Sequence, residues 1–450
     1  MSDLLATSSP AWLRAVPVFL RRHLDGRPNL LAAIHNMGWL LADRAIRVVM
    51  GVVVGAWVAR YLGPSHYGEL AYVLAFVAFF SVTCQLGLDA VAVREMSRND
   101  DAAPALLGTA LRLRLIAGFG AYIAAVVGMA LLRPGDTRAL ILTAVVAGTV
   151  VFQAADTYDL WFQSKTQSRR TIVAKAVAYL GANGVKVVLI LAHAGLVAFA
   201  AVGVLEAALA ALALYLAYRR FPARTRWSWD PVWARQLLRE SWPYLIAGLA
   251  ITVYTRIDQV MLRGMIDVHE LGIYSAALPL STVWYFIPLA ISISVAPAIA
   301  RRKQYDSAAY DRGLAQLFSV MWWVMLPLCA LVALTARPLI ALLYGEAYAA
   351  SADVLKIHIF ASVPVALGVA QSNWIVNEKR GMISLNRTVL GAICNVLLNL
   401  FLIPRYGARG AAMASVGAQL VAAVFSNLIL APRMLVVQMS SLLPLRVFRA

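Results

Sequence analysis

The sequence predicts an all-α polytopic membrane protein, with about twelve transmembrane helices in two sets of six. Three observations predict it. The chain is 61% hydrophobic and only 14% charged, more apolar surface than a soluble domain can hide. Apolar runs of spanning length recur from end to end, separated by Gly, Pro and charged breakers. Lys and Arg crowd into alternate connections, as they do when the same side always faces the cytoplasm.

In chain order the runs lie at about 37–61, 67–92, 107–132, 139–163, 172–193, 197–218, 242–265, 271–299, 313–336, 355–376, 384–403 and 411–431. Residues 11–24 mix aromatics with Arg around Pro17, the pattern of an interfacial helix on the inner leaflet. The first run opens at Asn36 and is broken by Gly63-Pro64; Gly51 and Gly55 form a small-xxx-small stripe that would let another backbone approach. Pro279, Pro288 and Pro297 should kink the eighth run. Asn373, Asn377, Asn395 and Asn399 in the tenth and eleventh suit hydrogen bonds between helices. Cys84, Cys329 and Cys394 lie in apolar runs, with no disulfide or metal spacing.

With the N-terminus inside, 28 of the 40 Lys and Arg residues fall on inner segments and 7 on outer ones, so both termini are expected in the cytoplasm. The same bias accounts for most of the +18 net charge, and no nucleic-acid partner is needed. Residues 1–36 form a cytoplasmic segment, 37–218 a first six-helix lobe and 219–241 a cytoplasmic linker. Residues 242–431 form a second lobe and 432–450 a cytoplasmic tail. The linker's Arg219-Arg220-Phe221-Pro222-Ala223-Arg224 suits a topogenic anchor on anionic lipid. The halves echo each other. HYGELAY (66–72) opens the second run and ELGIYSAA (270–277) the eighth; GLVAFAAVGVLEAAL (195–209) and GARGAAMASVGAQLV (407–421) lead into the sixth and twelfth. Two parallel repeats around a central cavity are a common transporter plan.

Charged residues inside spans are expensive, so they mark protein-facing or cavity-facing positions. Asp43, Arg44 and Arg47 sit in the first run, spaced so that Asp43 and Arg47 can pair while Arg44 and Arg47 share a face. In the seventh, Arg256 and Asp258 are two apart and point to roughly opposite sides. Arg256 suits an anion and Asp258 ion coupling, and both equally suit structural bonds between helices. The fifth run has a polar stripe of Lys175, Tyr179, Asn183 and Lys186, ending at His193, and the sixth has Glu206. Lys186 and Glu206 fall at nearly equal depth on either side of a tight turn, which predicts direct or water-bridged contact. Asp156 and Asp159 suit interface anchors. No Gly-rich phosphate loop, metal pair or activated nucleophile is present, so neither a cofactor nor an enzyme is expected.

Several stretches together resemble one family: an Asn-led first span containing Asp43-Arg44, ARYLGPSHYGELAY (59–72), LGLDAVAVREMSR (86–98), RIDQVML (256–262) followed by ELGIYSAA, and PRYGARGAAMAS (404–415). They look like the lipid-linked oligosaccharide flippases, the polysaccharide-transporter branch of the multidrug, oligosaccharidyl-lipid and polysaccharide exporter superfamily. The resemblance implies two six-helix lobes forming a V-shaped central cavity. It implies transfer of an undecaprenyl-diphosphate-linked oligosaccharide across the bacterial inner membrane, by alternating access, for O-antigen, capsule or exopolysaccharide synthesis. Membrane lipids and polysaccharide polymerase machinery would be the partners. Arg44, Arg47, Arg256 and Lys186 would then meet the diphosphate, with Asp43, Asp258 and Glu206 in ion coupling or structural pairs. The competing readings are a lipid II flippase, a drug/cation antiporter with a more acidic cavity, and a membrane glycosyltransferase or polymerase, which would favour a sizeable outer loop.

Overall fold

The computed structural model describes residues 28–165, 167–220 and 226–442, with side chains in the first helix described for Arg47 and from Val49 onward. The segment 11–24, the Asp43 and Arg44 side chains, Phe221 to Arg224 of the linker cluster, and the tail beyond Leu442 lie outside the described residues. All regular elements among the described residues are helical. They fall into two compact units, divided between Met50 and Gly51.

Among the described residues, ten helical stretches are long and apolar enough to cross a membrane, and two of them, Val49–Arg98 and Gly381–Leu430, run for 50 residues. Each of these two is broken by a glycine that departs from helical geometry. Gly63 has φ 73° and ψ 166°; Gly407 has φ 54° and ψ −132°. L-residues rarely adopt either conformation. The breaks fall inside two of the recurring motifs, LGP and YGARG. Past Gly407 the chain doubles back closely: a Cβ on Gly410 would lie 2.2 Å from the Leu402 carbonyl oxygen. The Ala103–Leu132 helix shows what surrounds the bundle. Ile116, Phe119, Ile123, Val127 and Leu131 recur along one face and are all exposed. Such a stripe is stable where the surroundings are as apolar as the side chains.

Several boundaries differ from expectation. The second run ends at Gln85, not at residue 92. Leu86 and Gly87 follow, both with positive φ, and Asp89–Arg98 is a separate amphipathic helix. The eighth run breaks between two of its prolines, at a 3₁₀ turn of Val283–Tyr285 joining Val268–Thr282 to Phe286–Tyr305. Of the small-residue stripe, Gly51 admits the Tyr179 hydroxyl, 3.1 Å from where its Cβ would stand, and Gly55 has open space around it. The expected backbone approach is therefore not made at either glycine. Such an approach is made elsewhere, at a pair of positions the motifs share.

Gly68 of HYGELAY and Gly272 of ELGIYSAA pack across from each other. A Cβ on Gly68 would stand 1.9 Å from the Val268 carbonyl oxygen, and one on Gly272 would stand 1.9 Å from that of Pro64. Each glycine thus meets the carbonyl of the residue four before its counterpart. The reciprocity is that of a two-fold relation between matching segments of the two halves. Beside this crossing, the Tyr348 hydroxyl donates to Ala59 O at 2.7 Å and the Ala408 amide donates to Glu270 at 2.9 Å.

The connection between halves is also packed. A cluster of Leu88, Val91, Met96, Leu106, Leu160, Trp161 and Phe162 takes in Leu237 from the far side of the linker. Ser228 N donates to Pro104 O at 3.1 Å, Asp230 N donates to the Thr109 hydroxyl at 3.0 Å, and Trp227 Nε1 donates to the Tyr218 hydroxyl at 2.7 Å. Ser228 lies so close to Gly108 that a Cβ there would be 2.1 Å from its carbonyl oxygen.

Replacing Gly272 with Ala forces backbone to move and should destabilise the protein by about 1–3 kcal/mol, as overpacking does. Gly264→Ala, where nothing lies within 4 Å of the new Cβ, is the control and should leave the melting temperature unchanged or raise it. Equal melting temperatures for both variants in detergent would remove the crossing as a stability element.

Candidate functional site

The Pro231–Met265 helix positions the two charges of its RID motif by its period alone. Arg256 is exposed and lines a cavity of about 510 Å³ with Tyr254, Gln259, Tyr274, Tyr285 and Gln419. Tyr274 and Tyr67 stand near enough to act on it electrostatically. No carboxylate pairs with it among the described residues.

Asp258 lines the same cavity but is only 4% exposed. Its carboxylate accepts from the Tyr274 hydroxyl at 2.7 Å, from Asn399 Nδ2 at 2.9 Å and from the Ser415 hydroxyl. Three donors come from three chain segments: the Val268–Thr282 helix and the two legs flanking Gly407. Asn399 Nδ2 also donates to Asn395 Oδ1 at 3.0 Å. A buried carboxylate without a cation is tolerable only when its oxygens are saturated in this way. The sequence had marked Asp258, Asn395 and Asn399; Tyr274 and Ser415 were visible only as parts of motifs.

The other expected residues fall elsewhere. Arg47 belongs to the first compact unit and has an interaction partner. Lys186 and Glu206 are both half-buried. Glu206 is the charge that acts on Lys186, yet the ion pairs among the described residues do not include one between them, and Glu206 has a further partner. Asp156 and Asp159 are more than interface anchors, since both clasp Lys175 at 2.8 Å. His193 is exposed at the turn, with φ 51°. Asn373 reaches the Ser292 hydroxyl at 2.7 Å.

Two arginines counted only toward topology prove to be inside the bundle. Arg114 is 1% exposed and pairs with Asp89, tying the short Asp89–Arg98 helix to Ala103–Leu132. Arg387 is half-buried and among the described residues bonds to neutral oxygens on the Ser362–Asn377 helix. The position of Arg114 well inside the 107–132 run was the available signal for it; Arg387, four residues into 384–403, offered none. The arrangement binds and orients charge. Among the described residues no group of His, Cys, Asp or Glu could hold a metal ion.

Tyr274→Phe removes one of three donors from a buried carboxylate and should cost about 1–3 kcal/mol, read as a fall in melting temperature that Asp258→Asn, which no longer needs the donor, largely masks. Additive losses in the double variant would disconnect the two residues. For Lys186 and Glu206, single neutral substitutions should each reduce stability or export, and the double neutral variant should recover part of the loss; a double variant no better than the worse single one would break the coupling.

No curated protein matches the sequence. Among solved structures, the chain is similar to the lipid II flippase MurJ in an inward closed conformation, at 10% identity and a TM-score of 0.72, covering 89% of this chain and 90% of that one. It is similar to a multidrug resistance MATE family transporter of the MOP superfamily in an inward-facing conformation, at 15% identity and 0.70, covering 88% and 96%. An outward-facing MATE structure matches at 16% identity and 0.56, covering 89% and 96%. These likenesses establish the fold as that shared by MATE and MurJ. The family model described as polysaccharide biosynthesis protein matches residues 57–353, well over half of the chain, and the chain belongs to that family.

Proposed function

We propose that this multi-pass membrane protein is a flippase for an undecaprenyl-diphosphate-linked oligosaccharide, moving it by alternating access across the bacterial inner membrane for surface polysaccharide synthesis. The observation that carries the reading is Arg256: a guanidinium on a membrane-spanning helix, lining a cavity, with no ion-pair partner among the described residues, since Asp258, which lines the same cavity, is taken up by its own hydrogen bonds. An uncompensated charge there is costly, and a diphosphate is the anion that a guanidinium fork grips best. The family and the fold support the same reading, and the polar cavity suits a sugar head group while the prenyl tail stays in lipid.

In this reading the two 50-residue helices each cross twice, giving twelve crossings in two six-helix lobes, 37–218 and 242–431, with both termini in the cytoplasm. Arg44, Arg47 and Lys186 are the further cations assigned to the diphosphate. Asp258 is assigned to ion coupling, with Asp43 and Glu206 as secondary candidates. No covalent step occurs. The head group is bound at one face and released at the other, and a proton or sodium gradient biases the cycle through the hydrogen bonds that Asp258 makes to three chain segments.

Arg256→Ala should abolish surface polysaccharide export, by tenfold or more given about 1.5–3 kcal/mol per charged hydrogen bond, with the protein still in the membrane. Lys should rescue poorly, being a point charge. Normal export in Arg256→Ala would remove the site, and loss of cation efflux with intact polysaccharide would instead identify an antiporter. Cysteine labelling should find positions near Arg170 and Arg302 inside, and positions near Pro134 and Glu346 outside; the reverse pattern would overturn the orientation.

A further inference from the structure

The cavity that Arg256 lines has an imidazole in its wall, His358. The residue closes the Ser351–His358 helix, just before the 3₁₀ turn of Ile359–Ala361, and is only 5% exposed. The two edges of its ring meet different surroundings. Nδ1 stands 2.8 Å from the hydroxyl oxygen of the fully buried Ser281. Nε2 makes no hydrogen bond among the described residues and is not sealed off, so it is the edge that the ring turns to the cavity.

The Ser281 hydroxyl has one hydrogen and two places to put it, since Leu278 O in its own helix lies 2.9 Å away. With the hydrogen on that carbonyl, Ser281 accepts from Nδ1. An imidazolium donates from both nitrogens and accepts at neither. This arrangement answers one N–H of the charged ring and aims the other at the cavity. The neutral ring is served by the same contact, so the ring changes charge without moving.

The groups packed around His358 are committed elsewhere. From the Val268–Thr282 helix, Tyr274 meets the ring edge-on at 6.1 Å, and its hydroxyl donates to Asp258. From Ser307–Leu334, the Cys329 thiol donates to Ile359 O at 3.2 Å. On Ala336–Tyr344, Tyr344 packs on the Tyr348 ring. On the ring's own helix Asp353 pairs with Lys356 and with Arg409 of Gly381–Leu420. The Ser362–Asn377 helix carries no titratable residue. Tyr254, Tyr285, Arg256 and Asp258 line the same cavity, and the Asp258 oxygens already take three hydrogen bonds. No carboxylate among the described residues pairs with His358, so a counter-charge for the protonated ring has to arrive with a ligand.

We propose that His358 is an anion-binding residue of this cavity that takes up a proton when a diphosphate ester enters, the imidazolium then donating from Nε2 to a phosphate oxygen. The proposal rests on the flippase reading and deepens it. The only bond made is N–H at Nε2; its proton comes from water in the cavity and returns there when the ester leaves. A nearby negative charge favours the charged imidazole, and by reciprocity the bound proton raises the affinity for the ester. The site thus has one permanent cation, Arg256, and one that exists only while an anion is present. An empty cavity is spared a second bare charge inside the bundle.

The full chain in lipid nanodiscs is titrated by calorimetry with farnesyl-diphospho-N-acetylglucosamine, a diphosphate diester with no group of its own that titrates near neutrality. Runs in two buffers of different ionisation heat count the protons taken up. The wild type is expected to take up part of a proton on binding, and its affinity to rise as pH falls, by about tenfold per unit at most for a single proton. His358→Gln keeps a donor but cannot take the proton; it should bind several-fold more weakly at low pH, with the uptake and the pH slope gone. Wild-type binding without proton uptake overturns the proposal and leaves the flippase reading standing. Uptake that survives in His358→Gln also overturns it, and moves the proton to another group. If His358→Gln fails to fold, Ser281→Ala decides: it removes the acceptor for Nδ1–H and should move the pH slope to lower pH, and an unchanged profile overturns the proposal. A wild type that does not bind the diester overturns the flippase reading and this inference with it.

Discussion

A charge inside an apolar bundle has to be answered by something, and the answers organise the molecule. Arg114 is answered by Asp89, and Lys175 by two carboxylates. Asp258 is answered by dipoles, with three hydrogen bonds from three chain segments. Each solution also fixes helices against one another, because the partner nearly always comes from elsewhere in the chain. What is left over is then informative. Arg387, like Asp258, is answered by dipoles, on the Ser362–Asn377 helix, and Arg256 has no such answer from any ion pair or side-chain hydrogen bond among the described residues. In the flippase reading the binding role falls to Arg256, and Asp258, which lines the same cavity, is left for ion coupling.

The Val268–Thr282 helix links two of these arrangements. Gly272 makes the close crossing with Pro64, and two residues on Tyr274 donates to Asp258. The segment from Leu271 to Ala277 is buried throughout, so it has little freedom to relax locally. A change in the hydrogen bonding of Asp258 is therefore passed to the crossing through a rigid turn of helix, not through a flexible loop. Ser351, whose hydroxyl donates to Ile273 O at 2.7 Å, holds the same turn from a third direction.

Much of this was legible in the sequence. Apolar runs and breakers located the helices because spanning length is set by bilayer thickness, and the RID motif marked two charges that the fold sets on one cavity. The pairings were less legible. Nothing in the spacing of Asp89 and Arg114 announces the pairing of a buried arginine with an exposed carboxylate, since the contact depends on how the short Asp89–Arg98 helix folds back. The same holds for Lys175, whose partners lie on the preceding segment. Gly68 and Gly272 were visible as parts of echoing motifs, but their meeting depends on tertiary approach. Arg387 was hidden by a rule that works: an Arg near a span's end usually sets topology, and only the neutral acceptors around it show that it is held within the bundle.

The stitching of Trp227, Ser228 and Asp230 onto the first half of the chain has a consequence for how such a chain arises and can be altered. A protein built by doubling an ancestral six-helix unit needs something to join the copies, and a bare tether would be free to lengthen, shorten or be cut. In this chain the joint is seated over Gly108, where a single added methyl group would strike it. The connecting segment is thereby part of the first half's own packing. New termini opened at residues 227–230 would thus cost the first half part of its own packing.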